Sequence, residues 1–176
     1  MGHKTALYEQ HLALNARIVD FGGWDMPVQY TSVLAEHHAV RRSVGMFDVS
    51  HMTFIELTGP DAVPYLQRLL ANDVARLKTA GKALYSGMLN EQGGVIDDLI
   101  VYFRAPANYR LVLNAATRRK DLAWIQQQAQ GLSVGIQEHS DLAMIAVQGP
   151  QAIQKTLQVL SPAQVDAVST LQPFEA

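Results

Sequence analysis

Asn90-Glu91-Gln92-Gly93-Gly94-Val95-Ile96-Asp97-Asp98-Leu99-Ile100-Val101-Tyr102 sets two adjacent carboxylates inside a run of strand formers directly after a glycine turn. Leu84 to Leu89 precedes the turn and Val95 to Phe103 follows it, so the stretch predicts a β-hairpin. Side chains alternate along a strand, which sends Asp97 and Asp98 to opposite faces. Counting by twos, Asp98 shares a face with Ile100 and Tyr102 if no bulge intervenes, and Tyr85 on the first arm can join them. A pocket carboxylate between aromatic walls suits a flat heteroaromatic ligand bearing N–H donors: the rings give stacking area and the carboxylate fixes orientation. The same residues fit a hairpin with one aspartate in solvent, the other bonding local backbone, and two core tyrosines. Spacing alone does not choose.

Outward from the hairpin, Phe54-Ile55-Glu56-Leu57-Thr58-Gly59-Pro60-Asp61-Ala62-Val63 aligns with Met144-Ile145-Ala146-Val147-Gln148-Gly149-Pro150-Gln151-Ala152-Ile153 at a constant offset of 90 positions. A strand, a Gly-Pro turn and an apolar helix therefore occur twice. With the hairpin between the copies, the pattern predicts an α+β fold of mostly antiparallel sheets with helices on one side. Thr53 to Thr58 alternates, with Phe54, Glu56 and Thr58 on one face and Ile55 and Leu57 on the other. Thr5 to Leu14 reads as a short helix with Leu7, His11 and Leu14 on one side. Phe21 to Pro27 reads as an aromatic, glycine-rich loop. Ser32 caps a helix through about Ser43, with Gly45 closing it, and Pro60 takes the first position of the helix after Thr58. Arg110 to Leu113 is a further strand, and Thr117 to Gln130 a helix with Leu122, Ile125 and Ala129 at helical spacing and Gly131 as its stop.

The 176 residues are 48% hydrophobic, enough to bury a core, and 14 basic against 16 acidic residues leave a formal charge of −2. That balance, without a large basic block, argues against nucleic acid as the main partner. There is no cysteine, so disulfides, thiolate nucleophiles and cysteine-bound metals are excluded. No apolar run approaches the roughly twenty residues of a membrane helix, and the first ten residues have no signal-peptide core, which places the protein in the cytoplasm, away from membranes. Met1-Gly2-His3 is set aside from the fold reading.

Aspartates, histidines and tyrosines are the groups left to carry chemistry. His37 and His38 are neighbours about 100° apart on a helix and have no third ligand at useful spacing, so no metal site is read. His51 follows Phe47-Asp48-Val49-Ser50 at a loop-to-strand junction where it can line a pocket. Ser50 beside it has no Gly-x-Ser-x-Gly elbow, and Gly93-Gly94 lacks the Gly-x-Gly-x-x-Gly spacing of a dinucleotide loop.

Leu7-Tyr8-Glu9-Gln10-His11, Val19-Asp20-Phe21-Gly22-Gly23-Trp24-Asp25-Met26-Pro27-Val28-Gln29-Tyr30, Gly45-Met46-Phe47-Asp48-Val49-Ser50-His51-Met52 and Gly93-Gly94-Val95-Ile96-Asp97-Asp98-Leu99, in this order and spacing, resemble the T-protein family of the glycine cleavage system, the aminomethyltransferases. The resemblance runs from about Thr5 to Ala176. The family's chains are about twice as long, so it implies an N-terminal portion without the C-terminal half, built from parts of two interleaved subdomains, about residues 1–52 with 140–176 and about 53–139. It implies aminomethyl transfer from the lipoyl arm of H protein to tetrahydrofolate as co-substrate, giving methylenetetrahydrofolate and ammonia. The family's key aspartate matches Asp98, which bonds the pterin and positions the attacking nitrogen. Tyr85, Tyr102, Val112 and Asn114 match the folate site, and His51 and Met52 lie near it. Neither a metal nor a nucleotide cofactor is implied.

The resemblance also extends to folate-binding domains of related dimethylglycine and sarcosine oxidising enzymes and of an iron-sulfur assembly protein. A non-catalytic folate-binding or interaction module is a further alternative. If the rest of the fold is missing, exposed apolar surface and sheet edges imply self-association or marginal stability, with little turnover by this chain alone.

Overall fold

The computed structural model of the protein describes residues 2–176. In chain order its elements are α1 (Tyr8–Ala13), β1 (Arg17–Phe21), β2 (Trp24–Gln29), α2 (Val33–Arg42), β3 (Gly45–Asp48), β4 (Thr53–Thr58), α3 (Ala62–Leu69), a 3-10 turn (Val74–Arg76), β5 (Ala83–Leu89), β6 (Val95–Ala105), β7 (Asn108–Leu113), α4 (Arg118–Gln128), β8 (Gly135–His139), β9 (Ile145–Gln148), α5 (Ala152–Leu157) and α6 (Pro162–Val168). The strands pair antiparallel throughout, and with the helices packed against them they make an α+β fold. Two compact units form: one runs to His51 and takes in Ala143–Thr170, and the other is Met52–Leu142 with Leu171–Ala176. Among the described residues no helix is long and apolar enough to cross a membrane.

The second unit holds a five-stranded sheet in the order β5-β6-β7-β4-β8. Alternation sorts its side chains onto two faces, with Phe54 and Val112 buried on the face opposite the main core. Ile55, Leu57, Leu99, Val101, Tyr109, Leu111 and Leu113 are nearly inaccessible and pack with Tyr65, Leu66 and Leu69 of α3 and Ile125 of α4. Each such side chain contributes about 1.5–3 kcal/mol by leaving water. Ala62, Tyr65, Leu66 and Leu69 are spaced i, i+3, i+4 and i+7, the stripe a helix needs to cover a sheet face. The Tyr65 hydroxyl, buried in that stripe, donates to the Ile125 carbonyl at 2.7 Å and ties α3 to α4. The chain end belongs to this unit too: Ala83 N–H donates to Phe174 O at 2.9 Å, and Lys82 pairs with Glu175.

The first unit is built from two small sheets, β1-β2 and β3-β9, with short helices. His11 of α1 is its buried polar centre. Its Nε2 is 3.0 Å from Asp48 Oδ2 and its Nδ1 is 2.9 Å from the Tyr30 hydroxyl.

The two copies of the strand-turn-helix motif adopt matching geometry. Gly59 and Gly149 have φ of 126° and 122°, and a Cβ on either would meet a backbone oxygen, Ser133 O at 2.2 Å or Ser43 O at 2.5 Å. Several local expectations are corrected. Phe21 to Pro27 is a hairpin, not a loop: Gly22 and Gly23 have φ of 61° and 87°, the doubly positive turn that matches strand twist, and Asp20 Oδ1 accepts from Gly23 N–H at 2.8 Å. α1 starts at Tyr8 rather than Thr5, and Leu14 is exposed. Gly45 is the first residue of β3, where it clears Val40, and α2 ends with Ser43 as its C-cap. α3 starts at Ala62 with Asp61 as its N-cap, because Gly59 and Pro60 are used in the turn.

Candidate functional site

The β5-β6 hairpin is locked by one side chain. Asn90 Oδ1 accepts from Gly94 N–H at 2.7 Å and Gln92 N–H at 3.0 Å, while Gly93 takes a φ of 79°. This closure sets the register: Gly87 pairs with Asp98, Tyr85 with Ile100 and Ala83 with Tyr102, and on the other side Ile100 pairs with Val112 and Tyr102 with Arg110. The register irregularities lie between Met88 and Leu89 and between Phe103 and Ala105, outside the Asp98–Tyr102 segment. Directly paired residues share a face, so Asp98, Tyr85, Tyr102 and Val112 stand together on the side of the sheet opposite α3 and α4. Gly87, beside Asp98, adds no side chain to this surface.

Tyr85 is 54% exposed, a large ring standing clear of the sheet. Its hydroxyl is held above the ordinary phenol value, first by the Asp98 carboxylate beside it and then by burial and the charge of Asp97. The Asp98 side chain itself is half-buried. One row along, Arg110 Nε and Nη2 donate to Glu56 Oε2 at 3.2 and 3.1 Å, a cross-strand pair that bounds the surface beyond Tyr102. An aromatic wall, a carboxylate acceptor and an ion-pair border are the groups this surface presents, the chemistry that suits a planar group bearing N–H donors.

Asn114 is placed differently. Its Nδ2 donates to Asp97 Oδ1 and to the Asp98 carbonyl, both at 3.1 Å, so it braces the backbone behind Asp98. Asp97 points into the space between β6 and α4, where the Thr117 hydroxyl also donates to it. The neighbour there is Asp121, fully buried, which the sequence reading passed over. Its signal was available: Asp121 lies four residues before Ile125 and so on the buried stripe of α4.

His51 belongs to the first unit, half-buried, with the Phe21 ring edge-on at 5.4 Å. Burial, partly opposed by the charge of Asp48, lowers its pKa from the ordinary value. Met52 opens the second unit just before β4. His37 and His38 are exposed on α2. Among the described residues there is no cluster of three or more His, Cys, Asp or Glu able to hold a metal ion.

Comparison with known proteins covers nearly the whole chain. The model of the GCVT N-terminal domain family matches residues 7–174. Curated proteins named aminomethyltransferase from Legionella pneumophila strains Corby and Paris are each 59% identical over 175 residues, which is 99% of this chain and 49% of theirs. The crystal structure of glycine cleavage system aminomethyltransferase T from Bartonella henselae matches with a TM-score of 0.87 and 34% identity, over 99% of this chain and 47% of that one. The chain spans about half the length of the relatives it matches.

Proposed function

From its membership of the GCVT N-terminal domain family, to which the chain belongs, we propose that it carries the folate-facing part of an aminomethyltransferase site, with Asp98 as the catalytic carboxylate. The observation that supports this most strongly is the common face of Asp98, Tyr85, Tyr102 and Val112, set by the β5-β6-β7 register. Tetrahydrofolate fits what these side chains offer. Its pterin is flat and bears N–H donors: Tyr85 and Tyr102 provide stacking surface, and Asp98 accepts from the N–H edge. Asn114 keeps Asp98 in place from behind, through its bonds to Asp97 and to the Asp98 carbonyl.

The reaction proposed for a protein of the relatives' full length moves the aminomethyl carbon from the lipoyl sulfur of H protein to a folate nitrogen. Methylenetetrahydrofolate, ammonia and the reduced lipoyl arm are the products. Asp98 contributes by orienting the folate nitrogen and by accepting hydrogen bonds that strengthen as that nitrogen reacts. The proposed partners are therefore tetrahydrofolate and a lipoylated H protein, in glycine catabolism and one-carbon metabolism, and the proposed location is the cytoplasm.

A chimera tests this reading: the chain joined to the C-terminal half of the Legionella pneumophila relative, assayed for ammonia release with lipoylated H protein. Release that requires tetrahydrofolate and drops at least a hundredfold in Asp98→Asn is expected, on the order of an essential proton-handling group. Unchanged release in the variant would reject the role of Asp98.

A further inference from the structure

Asp121 brings a whole carboxyl group into the second unit with no donor to meet it. The residue is 0% exposed, and neither oxygen accepts a hydrogen bond. An ionised carboxylate in that position is strongly unfavourable. A carboxylic acid is not, because it carries its own O–H donor. The acceptor is at hand in Asp97 of β6, whose carboxylate takes the hydroxyl of Thr117, the N-cap of α4 one turn before Asp121.

Asp97 is prepared to be the charged member. Asn114 Nδ2 donates to its Oδ1 at 3.1 Å and the Thr117 hydroxyl to its Oδ2. Burial opposes its ionisation, but the neighbouring Asp121 carboxyl and the hydrogen bonds from Thr117 and Asn114 outweigh burial and hold Asp97 below its ordinary value. For Asp121, burial and then the interaction with Asp97 push the carboxyl up to about 7. Few other charges face the pair. Lys120 Nζ lies 3.8 Å from Asp121 Oδ1 while donating to the Ile96 carbonyl at 2.6 Å. Arg118, at the start of α4, is engaged by Glu138 of β8 at 2.5 and 2.6 Å, and Asp98 leaves β6 on the opposite face.

One side chain carries the state of the pair to Asp98. The Asn114 amide divides its two N–H donors between Asp97 Oδ1 and the Asp98 carbonyl. Lys120 holds the carbonyl just before Asp97 from the other side. Two adjacent carboxylates sharing one proton attract; once that proton leaves they repel, and the contact between β6 and α4 opens.

We propose that Asp97 and Asp121 share one proton and serve together as positioning residues for Asp98, fixing its backbone through Asn114. The purpose of this device rests on the reading of Asp98 as the folate-facing carboxylate. The device itself does not, and its test contains no folate.

The test is an NMR titration of the chain labelled at the aspartate carboxyl carbons, together with the backbone amide of Asp98 and the side-chain amide of Asn114. One buried carboxyl is expected to titrate near neutrality, with the Asp98 and Asn114 signals moving at the same midpoint. In Asp121→Asn, whose amide is a permanent donor to Asp97, that titration disappears and both signals stay at their acid-side positions. A purely structural Asp121 would leave the Asp98 and Asn114 signals still, and that result overturns the proposal. So does completion of every aspartate titration in the ordinary acid range, or a neutral midpoint that survives in Asp121→Asn. The wild-type titration decides by itself if the variant fails to fold. Failure of folate binding would leave these signals unchanged and would count only against the proposed function.

Discussion

Tyr85 and Asp98 stand diagonally across the β5-β6 hairpin, two residues out of direct register, and the Asp98 carboxylate raises the pKa of the Tyr85 hydroxyl. This places a phenol O–H donor beside the Asp98 carboxylate. Replacing Tyr85 by Phe removes the donor and keeps the ring, so tetrahydrofolate affinity is expected to fall by about twofold to tenfold, the range of one exposed hydrogen bond. In the reverse experiment, Asp98→Asn lets the Tyr85 phenol titrate closer to its ordinary value. Ultraviolet phenolate titration reads this directly, and an unmoved midpoint would mean that Asp98 does not hold the hydroxyl.

The two glycines of the repeated turn should fail alike. Gly59→Ala and Gly149→Ala each add a Cβ at a positive φ and within 2.2 or 2.5 Å of a backbone oxygen. Each is expected to destabilise its unit by about 1–3 kcal/mol or more in chemical denaturation. Gly23→Ala, strained in φ but with no atom within 4 Å of the new Cβ, should cost less, on the order of 1 kcal/mol.

Asp48 predicts acid sensitivity in the first unit. Burial raises its pKa, but the hydrogen bonds from the Ser50 N–H and from His11 prevail and lower it from 3.8 to about 2. A depressed folded-state pKa gives stability that is present above 3.8 and is lost as the pH falls through about 2. The loss amounts to about 2 kcal/mol. Denaturation curves of the chain and of Asp48→Asn across this range should converge toward the acid end.

Asp121 predicts the opposite slope in the second unit. Its folded-state pKa is raised from 3.8 to about 7, so the folded unit binds the extra proton between these values. Stability from this group is fully present below 3.8 and declines as the pH rises through about 7. Asp121→Asn should remove that decline, and a variant whose stability still falls over the same window would show another group to be responsible.

The hairpin and β4 were legible because strict alternation and a Gly-Gly turn leave little choice of structure. Asp98 and Tyr102 could be placed on one face by counting, since no bulge falls between them. The β1-β2 hairpin was hidden because Asp25 and Pro27 interrupt its alternation, and its Gly22-Gly23 turn resembled a loop. Gly45 looked like a helix stop because the need it meets, clearance from Val40, comes from packing and not from backbone angle. Asp121 was missed for a different reason. A single aspartate on the buried stripe of a helix looks like a break in the pattern until its partner, 24 positions away on β6, is known.

The central claim is that the face bearing Asp98 receives folate. Calorimetric titration of the chain with tetrahydrofolate, beside an Asp98→Asn variant shown by circular dichroism to be folded, tests it most directly. The account predicts binding by the parent that the variant loses; equal binding by both, or none by a folded parent, would contradict it.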